Sequence, residues 1–371
     1  MSEQPLRVLV VDDTVVYRKI LSEVLESLGD VEVVGTAPHG RLALARLDQI
    51  PVDLVLLDVE MPEMDGLATL AEIQKRKDPP AVVMISGQTT RSAQSTIHAL
   101  ENGALDFVRK PDGGDADTSR RELTDKLRPL VRHVRTRRNL RQVLREEPRP
   151  KAPVLLPVPG PVAVPRPAPQ APPTGFAAVA IGISTGGPNA LGEMIPHLPA
   201  DLPVPILLVQ HMPPGFTASL AEHLDKRSRI RVKEGEEGEA VAAGTVYIAP
   251  GGKHMVLRRL PDGGLIVGIN DQPPVNSCKP SVDVLFRSVA AQVEGPVLAV
   301  VMTGMGNDGC EGVRTLKRQS CYCISQSEKS CVVYGMPLAV DEAGLSDEQV
   351  PLELMAQRVV QLVHRKVRHG T

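Results

Sequence analysis

Apolar residues come in short, nearly continuous runs separated by stretches of helical period, and this alternation recurs along most of the chain. LRVLVV, VDLVLL, AVVMIS, AVAIGI, PILLVQ and VLAVVM are such runs. A short run without polar interruption suits a strand covered on both faces, and a helix between successive strands is what parallel pairing needs. The pattern predicts strands near 6–11, 31–35, 53–57, 81–85 and 105–108, then near 177–183, 205–210, 245–249, 297–302 and 321–325. Both groups read as α/β: a flavodoxin-like (βα)5 unit, then a doubly wound parallel sheet.

Between the groups, residues 150–173 read PKAPVLLPVPGPVAVPRPAPQAPP. Proline at this density removes backbone donors and fixes φ, so the stretch is expected to be an extended spacer. Just before it, residues 126–146 read as helix with Lys126, Arg128, Arg132, Arg135, Arg137, Arg138, Arg141 and Arg145 scattered around it. No aromatic residue is interleaved for stacking on bases, so the charges read as the solvated face of the first domain's last helix. The division is a first domain over 1–125, basic helix and linker over 126–173, and a second domain over 174–371.

Composition adds boundaries. With 371 residues, 42% hydrophobic and 23% charged, the chain is long enough for two cored domains and belongs to neither the disordered nor the fibrous class. A formal net charge of -2 gives no general attraction to polyanions, so nucleic acid is not an expected partner. No apolar run reaches the ~18 residues of a membrane span, and the N-terminus lacks the order of a signal peptide. A cytoplasmic protein without direct membrane insertion is expected. Cys278, Cys310, Cys321, Cys323 and Cys331 are odd in number and contain no C-x-x-C pair, which argues against a disulfide framework or structural zinc.

Ligands of open parallel sheets sit at the carboxyl ends of strands, so the residues ending each run matter most. In the first group these are Asp12 and Asp13 after the first run, Asp58 after the third, Ser86 after the fourth, and Lys110 with Pro111 after the fifth. Three crowded carboxylates repel unless a hard cation neutralises them, and Mg2+ is the natural candidate. Asp58 can then take a phosphoryl group, with Lys110 balancing charge and the Ser86 hydroxyl donating a hydrogen bond. VLVVDDTVVYRKIL, LVLLDVEMPEMDGLATL, VVMISG and DFVRKP resemble, in order and spacing, the response-regulator receiver family over about residues 5–125. The resemblance implies Asp58 as phospho-acceptor, Asp12 and Asp13 as metal ligands beside it with the Val59 carbonyl, and Ser86, Phe107 and Lys110 as switch residues. It also implies a sensor histidine kinase as phosphodonor.

In the second group the first run ends in Gly182-Ile183-Ser184-Thr185-Gly186-Gly187-Pro188, a strand turning through glycines into a helix. This satisfies G-x-S-x-G, which displays a serine near backbone amides, but similar turns also bind phosphate and dinucleotides. Proline at 188 excludes a P-loop, and no G-x-G-x-x-G with a later acid is present. A serine nucleophile further needs a histidine base and an acid to orient it. His211 ends PILLVQH, and Asp308 lies in TGMGNDG after VLAVVM, each at a strand end. His254 competes, but without a matching serine and acid it reads as a structural or substrate-contact residue. The order Ser, His, Asp differs from that of α/β-hydrolases, so another scaffold is implied.

IGISTGG, VQHMPPGFT, INDQPPVNSCKPSVDVLF, VMTGMGNDG and VVYGMP together resemble the chemotaxis protein-glutamate methylesterase family over residues 175–365. The resemblance implies Ser184 as nucleophile, His211 as base, Asp308 as orienting acid, and the amides of Thr185 and Met305 as oxyanion donors. No cofactor is expected at the esterase site; Mg2+ belongs to the receiver. The expected substrates are glutamate methyl esters, and also glutamines, of methyl-accepting chemotaxis receptors, with phosphorylation of Asp58 relieving a state in which the receiver covers Ser184. Family members usually carry His-Arg before Pro-Ser-Val-Asp, where this chain has Ser277-Cys278-Lys279; Lys279 keeps the charge and loses arginine's planar fork. They also commonly read Ala-Gln-Asp where this chain has Ser325-Gln326-Ser327-Glu328. The opposing class, a receiver with a DNA-binding or scaffolding output, leaves serine, histidine and aspartate at three strand ends without a purpose.

Overall fold

A computed structural model of the chain describes residues 4–87, 89–111, 116–146 and 172–365. The chain forms two compact units. In chain order the elements up to residue 146 are β1 (Leu6–Val11), α1 (Val15–Ser27), β2 (Val31–Ala37), α2 (Gly40–Gln49), β3 (Leu54–Asp58), α3 (Gly66–Gln74), β4 (Ala81–Ser86), α4 (Thr90–Glu101), β5 (Asp106–Arg109) and α5 (Ala116–Glu146), all but α4 belonging to the first unit. All five strands pair in parallel in the order β2-β1-β3-β4-β5. Every residue of β3 is buried, the physical reason its sequence is an uninterrupted apolar run ending in Asp58. The chain moves one way from β1 to β2 and then the other way through β3, β4 and β5, so the switch point lies where β1 and β3 end.

The last helix of this unit continues through the basic segment, in line with its reading as the first domain's last helix. It is one helix from residue 116, so the expected division at 125 falls inside it. Leu123, Leu127, Leu130, Val131 and Val134 form its buried stripe against the core of the first unit. Arg135 pairs with Asp30 at 2.8 Å, and Arg138 donates to the carbonyls of Gln4 and Pro5 and to Asp53. Those two arginines are thereby bound to the first unit. The expected spacer lies almost wholly outside the described residues, as do the side chains of Arg141 and Arg145.

The second unit runs β6 (Ala178–Ile183), α6 (Gly187–Met194), β7 (Ile206–Gln210), α7 (Phe216–Arg227), β8 (Arg231–Glu234), β9 (Thr245–Ile248), β10 (His254–Arg259), β11 (Leu265–Asn270), α8 (Val282–Gln292), β12 (Val297–Val301), α9 (Cys310–Lys317), β13 (Cys321–Gln326), α10 (Met336–Glu342), β14 (Glu348–Val350) and α11 (Leu352–Val363). Seven strands pair in parallel in the order β14-β13-β12-β6-β7-β9-β8. Sequence reading did not place β8, β14 or the antiparallel β10–β11 hairpin. The hairpin did carry a signal, the Asp262-Gly263 turn between β-forming runs, with Gly263 at φ 87°. The chain leaves β6 toward β7 and returns to β12 on its other side, making β6 the switch strand. Among the described residues no helix is long and apolar enough to cross a membrane.

Candidate active site and acidic pocket

The switch point of the second unit gathers three strand ends. Ser184 follows β6, His211 follows β7, and Asp308 sits in the turn between β12 and α9. Main-chain bonds tie them together: the Ser184 amide donates to the Thr303 carbonyl (2.9 Å) and the His211 amide to the Ile183 carbonyl (3.2 Å). Gln210 Nε2 donates to the Ser184 carbonyl at 3.0 Å. Gly186 enters α6 at φ 75°, and a Cβ on Gly182 would lie 2.4 Å from the side chain of Val282, so the two glycines of G-x-S-x-G serve a backbone reversal and a close approach to α8.

Asp308 is buried, yet its carboxylate is caged by donors. Oδ2 accepts from His211 Nε2 (2.8 Å) and the Val282 amide (2.7 Å), and Oδ1 from Asn276 Nδ2 (2.9 Å), Ser281 Oγ (2.9 Å) and the Asp283 amide (3.2 Å). Two of these amides open α8, where the helix dipole favours an anion. Burial by itself would raise the carboxyl's pKa, but the bonds from His211, Asn276 and Val282 hold it at about 2. Burial likewise favours a neutral His211, but Asp308 and Cys278 overcome that and raise the imidazole to about 9.

With Nε2 committed to Asp308, Nδ1 is the ring edge left to accept a proton. In this structure Nδ1 is met by Cys278 Sγ at 3.6 Å, and among the described residues Ser184 Oγ makes no hydrogen bond to the ring. The expected histidine–aspartate contact is therefore formed and the serine–histidine contact is open, as is common before substrate binds. The backbone amides of Thr185 and Met305 donate to no protein group among the described residues, so they are available to an incoming oxygen. His254 is buried; its Nδ1 accepts from the Ser281 amide (3.2 Å) and its Nε2 faces the Pro273 carbonyl (3.1 Å), so its visible part is structural.

In the first unit, Asp12, Asp13 and Asp58 converge at the ends of β1 and β3, with carboxylate oxygens within 4.8 Å of one another. Lys110 Nζ stands 2.7 Å from both Asp12 Oδ2 and Asp58 Oδ2. Burial pushes the Asp58 carboxyl up to about 6; Lys110 opposes the shift, while Asp12 and Asp13 add to it. Such hard oxygen donors fit Mg2+. The Val59 carbonyl is present beside them and accepts from Gly66 (3.0 Å), leaving it a second lone pair. Ser86 ends β4 with its carbonyl accepting from the Lys110 amide (2.8 Å), and Phe107 lies half-buried on β5. Sequence reading missed Tyr17, whose ring centroid is 4.8 Å from Lys110 Nζ.

Two family descriptions match the chain: CheB methylesterase over residues 179–359 and response regulator receiver domain over residues 8–118. The protein-glutamate methylesterase/protein-glutamine glutaminase of Desulfotalea psychrophila is 44% identical over 362 residues, covering 96% of this chain and 98% of that one. The chain belongs to the CheB methylesterase family. The family relative of the same name from Bacillus subtilis is 41% identical, covering 97% of this chain and 99% of its own. A crystal structure of the Thermotoga maritima CheB methylesterase catalytic domain is 41% identical, covers 51% of this chain and 99% of that one, and has a TM-score of 0.49. At the CheB motif where this chain departs from the usual His-Arg, Lys279 turns to Asp271, with Nζ 3.1 Å from its carbonyl and paired to its carboxylate. Asn276 and Asp283 flank the departure and were not singled out from sequence. Their signal was slight, since Asn276 acts through a left-handed turn (φ 52°) that no local motif announces.

Proposed function

We propose that this chain hydrolyses γ-glutamyl methyl esters of methyl-accepting chemotaxis receptors to glutamate and methanol, and deamidates receptor glutamines, under control of phosphorylation at Asp58. The observation that supports this best is the His211–Asp308 pair at the switch point beside Ser184 and two available amides, in a chain 44% identical along its length to a protein-glutamate methylesterase/protein-glutamine glutaminase.

In this reading Ser184 Oγ attacks the ester carbonyl while His211 takes its proton at Nδ1. Asp308 holds the ring by Nε2 and stabilises the imidazolium that forms. The amides of Thr185 and Met305 receive the oxyanion, methanol leaves with the proton from His211, and water repeats the sequence on the acyl-serine. An amide passes through a similar tetrahedral intermediate, which accounts for the deamidation.

In the first unit Asp12, Asp13 and Asp58, with the Val59 carbonyl, would hold Mg2+, which neutralises phosphoryl oxygens when bound. Asp58 accepts the phosphoryl group from a sensor histidine kinase, Lys110 pairs with its charge, and Ser86 and Phe107 respond to it. The chain is assigned as a receiver over 1–125, a basic helix and proline-rich linker over 126–173 and a methylesterase domain over 174–371, with α5 running across the first boundary to Glu146.

The test is methanol release from methylated receptor membranes, with and without a small-molecule phosphodonor and Mg2+. Ser184→Ala is expected to lower release by at least about a thousandfold. Asp58→Ala is expected to keep basal release and lose stimulation. A folded, phosphorylated protein that releases no methanol from several receptor preparations overturns the assignment.

A further inference from the structure

The contact at His211 Nδ1 is not used by the reaction above, and it involves a nucleophile. Cys278 sits in a tight turn closed by reciprocal bonds, Val275 amide to Cys278 carbonyl (3.1 Å) and Cys278 amide to Val275 carbonyl (2.9 Å). Asn276 and Ser277 inside that turn adopt φ 52° and 60°, which non-glycine residues rarely hold. Asn276 anchors the turn by donating to both Asp308 Oδ1 and Asp283 Oδ2 at 2.9 Å. The thiol is thus held against the base by the same network that cages the acid, giving the line Cys278 Sγ, His211 Nδ1, His211 Nε2, Asp308 Oδ2 with spacings of 3.6 and 2.8 Å across the ring.

Among the described residues no other cysteine thiol hydrogen-bonds to an imidazole. Cys323 is fully buried and its thiol is pushed well up, burial pushes Cys321 and Cys331 up to about 12, and Cys310 is raised and donates to the Ala339 carbonyl. Cys278 is half-buried, and its Sγ lies 3.6 Å from His211 Nδ1, a base placed to take the thiol proton as the sulfur reacts.

We infer that Cys278 is a modification site through which peroxide-class oxidants reversibly switch off hydrolysis, by converting the thiol to a sulfenic acid that occupies the Nδ1 edge Ser184 must reach. The switching rests on His211 being the base; the reactivity of the thiol does not. In the step, His211 Nδ1 takes the thiol proton while the sulfur attacks one peroxide oxygen; an S–O bond forms and the O–O bond breaks. The leaving hydroxide takes a proton from the imidazolium and departs as water. Sulfur is oxidised by two electrons and peroxide reduced by two. A dithiol reverses it: one thiol attacks the sulfenic sulfur and expels water, and the second displaces Cys278 as its thiol.

The experiment uses the full chain with a chelator present. In one aliquot hydrogen peroxide is added with dimedone and labelled peptides are quantified by mass spectrometry; in a second, without dimedone, methanol release is measured before peroxide, after it, and after dithiothreitol. Labelling should favour Cys278 over each other cysteine by about tenfold or more near neutral pH and drop by about tenfold in His211→Gln. Wild-type release should fall after peroxide and return with dithiothreitol, whereas Cys278→Ser should keep its own untreated rate. In wild type, iodoacetamide should also alkylate Cys278 first, a reading that needs no variant. Labelling spread evenly over the cysteines, labelling indifferent to His211, or complete labelling with full activity each overturns the proposal. If untreated protein releases no methanol, the functional reading fails while the labelling results still judge the thiol.

Discussion

His211 faces opposite demands at its two edges. Nε2 binds an ionised carboxylate that favours the imidazolium, while Nδ1 must be unprotonated to act as a base. Because the ring's pKa is raised from 6.5 to about 9, kcat/KM for methanol release should climb until about pH 9 instead of levelling near 6.5. Asp308→Asn removes the anion, so this limb should move to lower pH while the rate falls by about 10^3–10^4-fold. The same shift has a stability consequence of fixed sign. A pKa raised on folding contributes stability that is fully present below pH 6.5 and is lost as pH rises through about 9. Urea midpoints of wild type should therefore decline across that window, and those of His211→Gln should be flatter. At this scale Ser184, His211 and Asp58 could be singled out because each follows an apolar run directly, and Asp308 because it lies in the glycine-rich turn after β12. Cys278 was legible only as a departure from the usual motif, since its meaning lies in a contact with a residue far away in the chain.

Helices α8 and α9 cap each other. Asp308, just before α9, accepts from the amides opening α8, while Asp283 of α8 accepts through Oδ1 from Gly309 (3.0 Å) and Gly312 (2.6 Å) at the start of α9. Asn276 donates to both carboxylates and closes the circuit. Asn276→Ala leaves each carboxylate short of a donor and should cost about 1–3 kcal/mol, read as a lower urea midpoint with reduced kcat. Gly182→Ala tests the same assembly from the sheet side. Its new Cβ would press on Val282, the first residue of α8, and overpacking there should cost about 1–3 kcal/mol and loosen the amides around Asp308. Sequence reading placed neither α8 nor α9, and no local pattern could reveal that each one's N-terminus is satisfied by the other's acid.

At the scale of the whole molecule, two separately cored parallel sheets each bring candidate residues to their own switch point, Asp12, Asp13 and Asp58 in one and Ser184, His211 and Asp308 in the other. The division of labour predicts that chelating divalent cations abolishes stimulation by a phosphodonor and leaves unstimulated methanol release intact. Loss of basal release on chelation, restored by Mg2+, would show that the two sites are not chemically independent. By itself the sequence determined the two α/β cores, the strands of both switch points and the residues that end them, because burial on both faces writes itself as continuous apolar runs and functional groups sit where those runs stop. The tertiary structure alone decided which edge of His211 meets Asp308, which thiol meets the other edge, and how two helices exchange caps. Those outcomes depend on left-handed turns at Asn276 and Ser277 and on strand order, which bring together atoms that no local pattern relates.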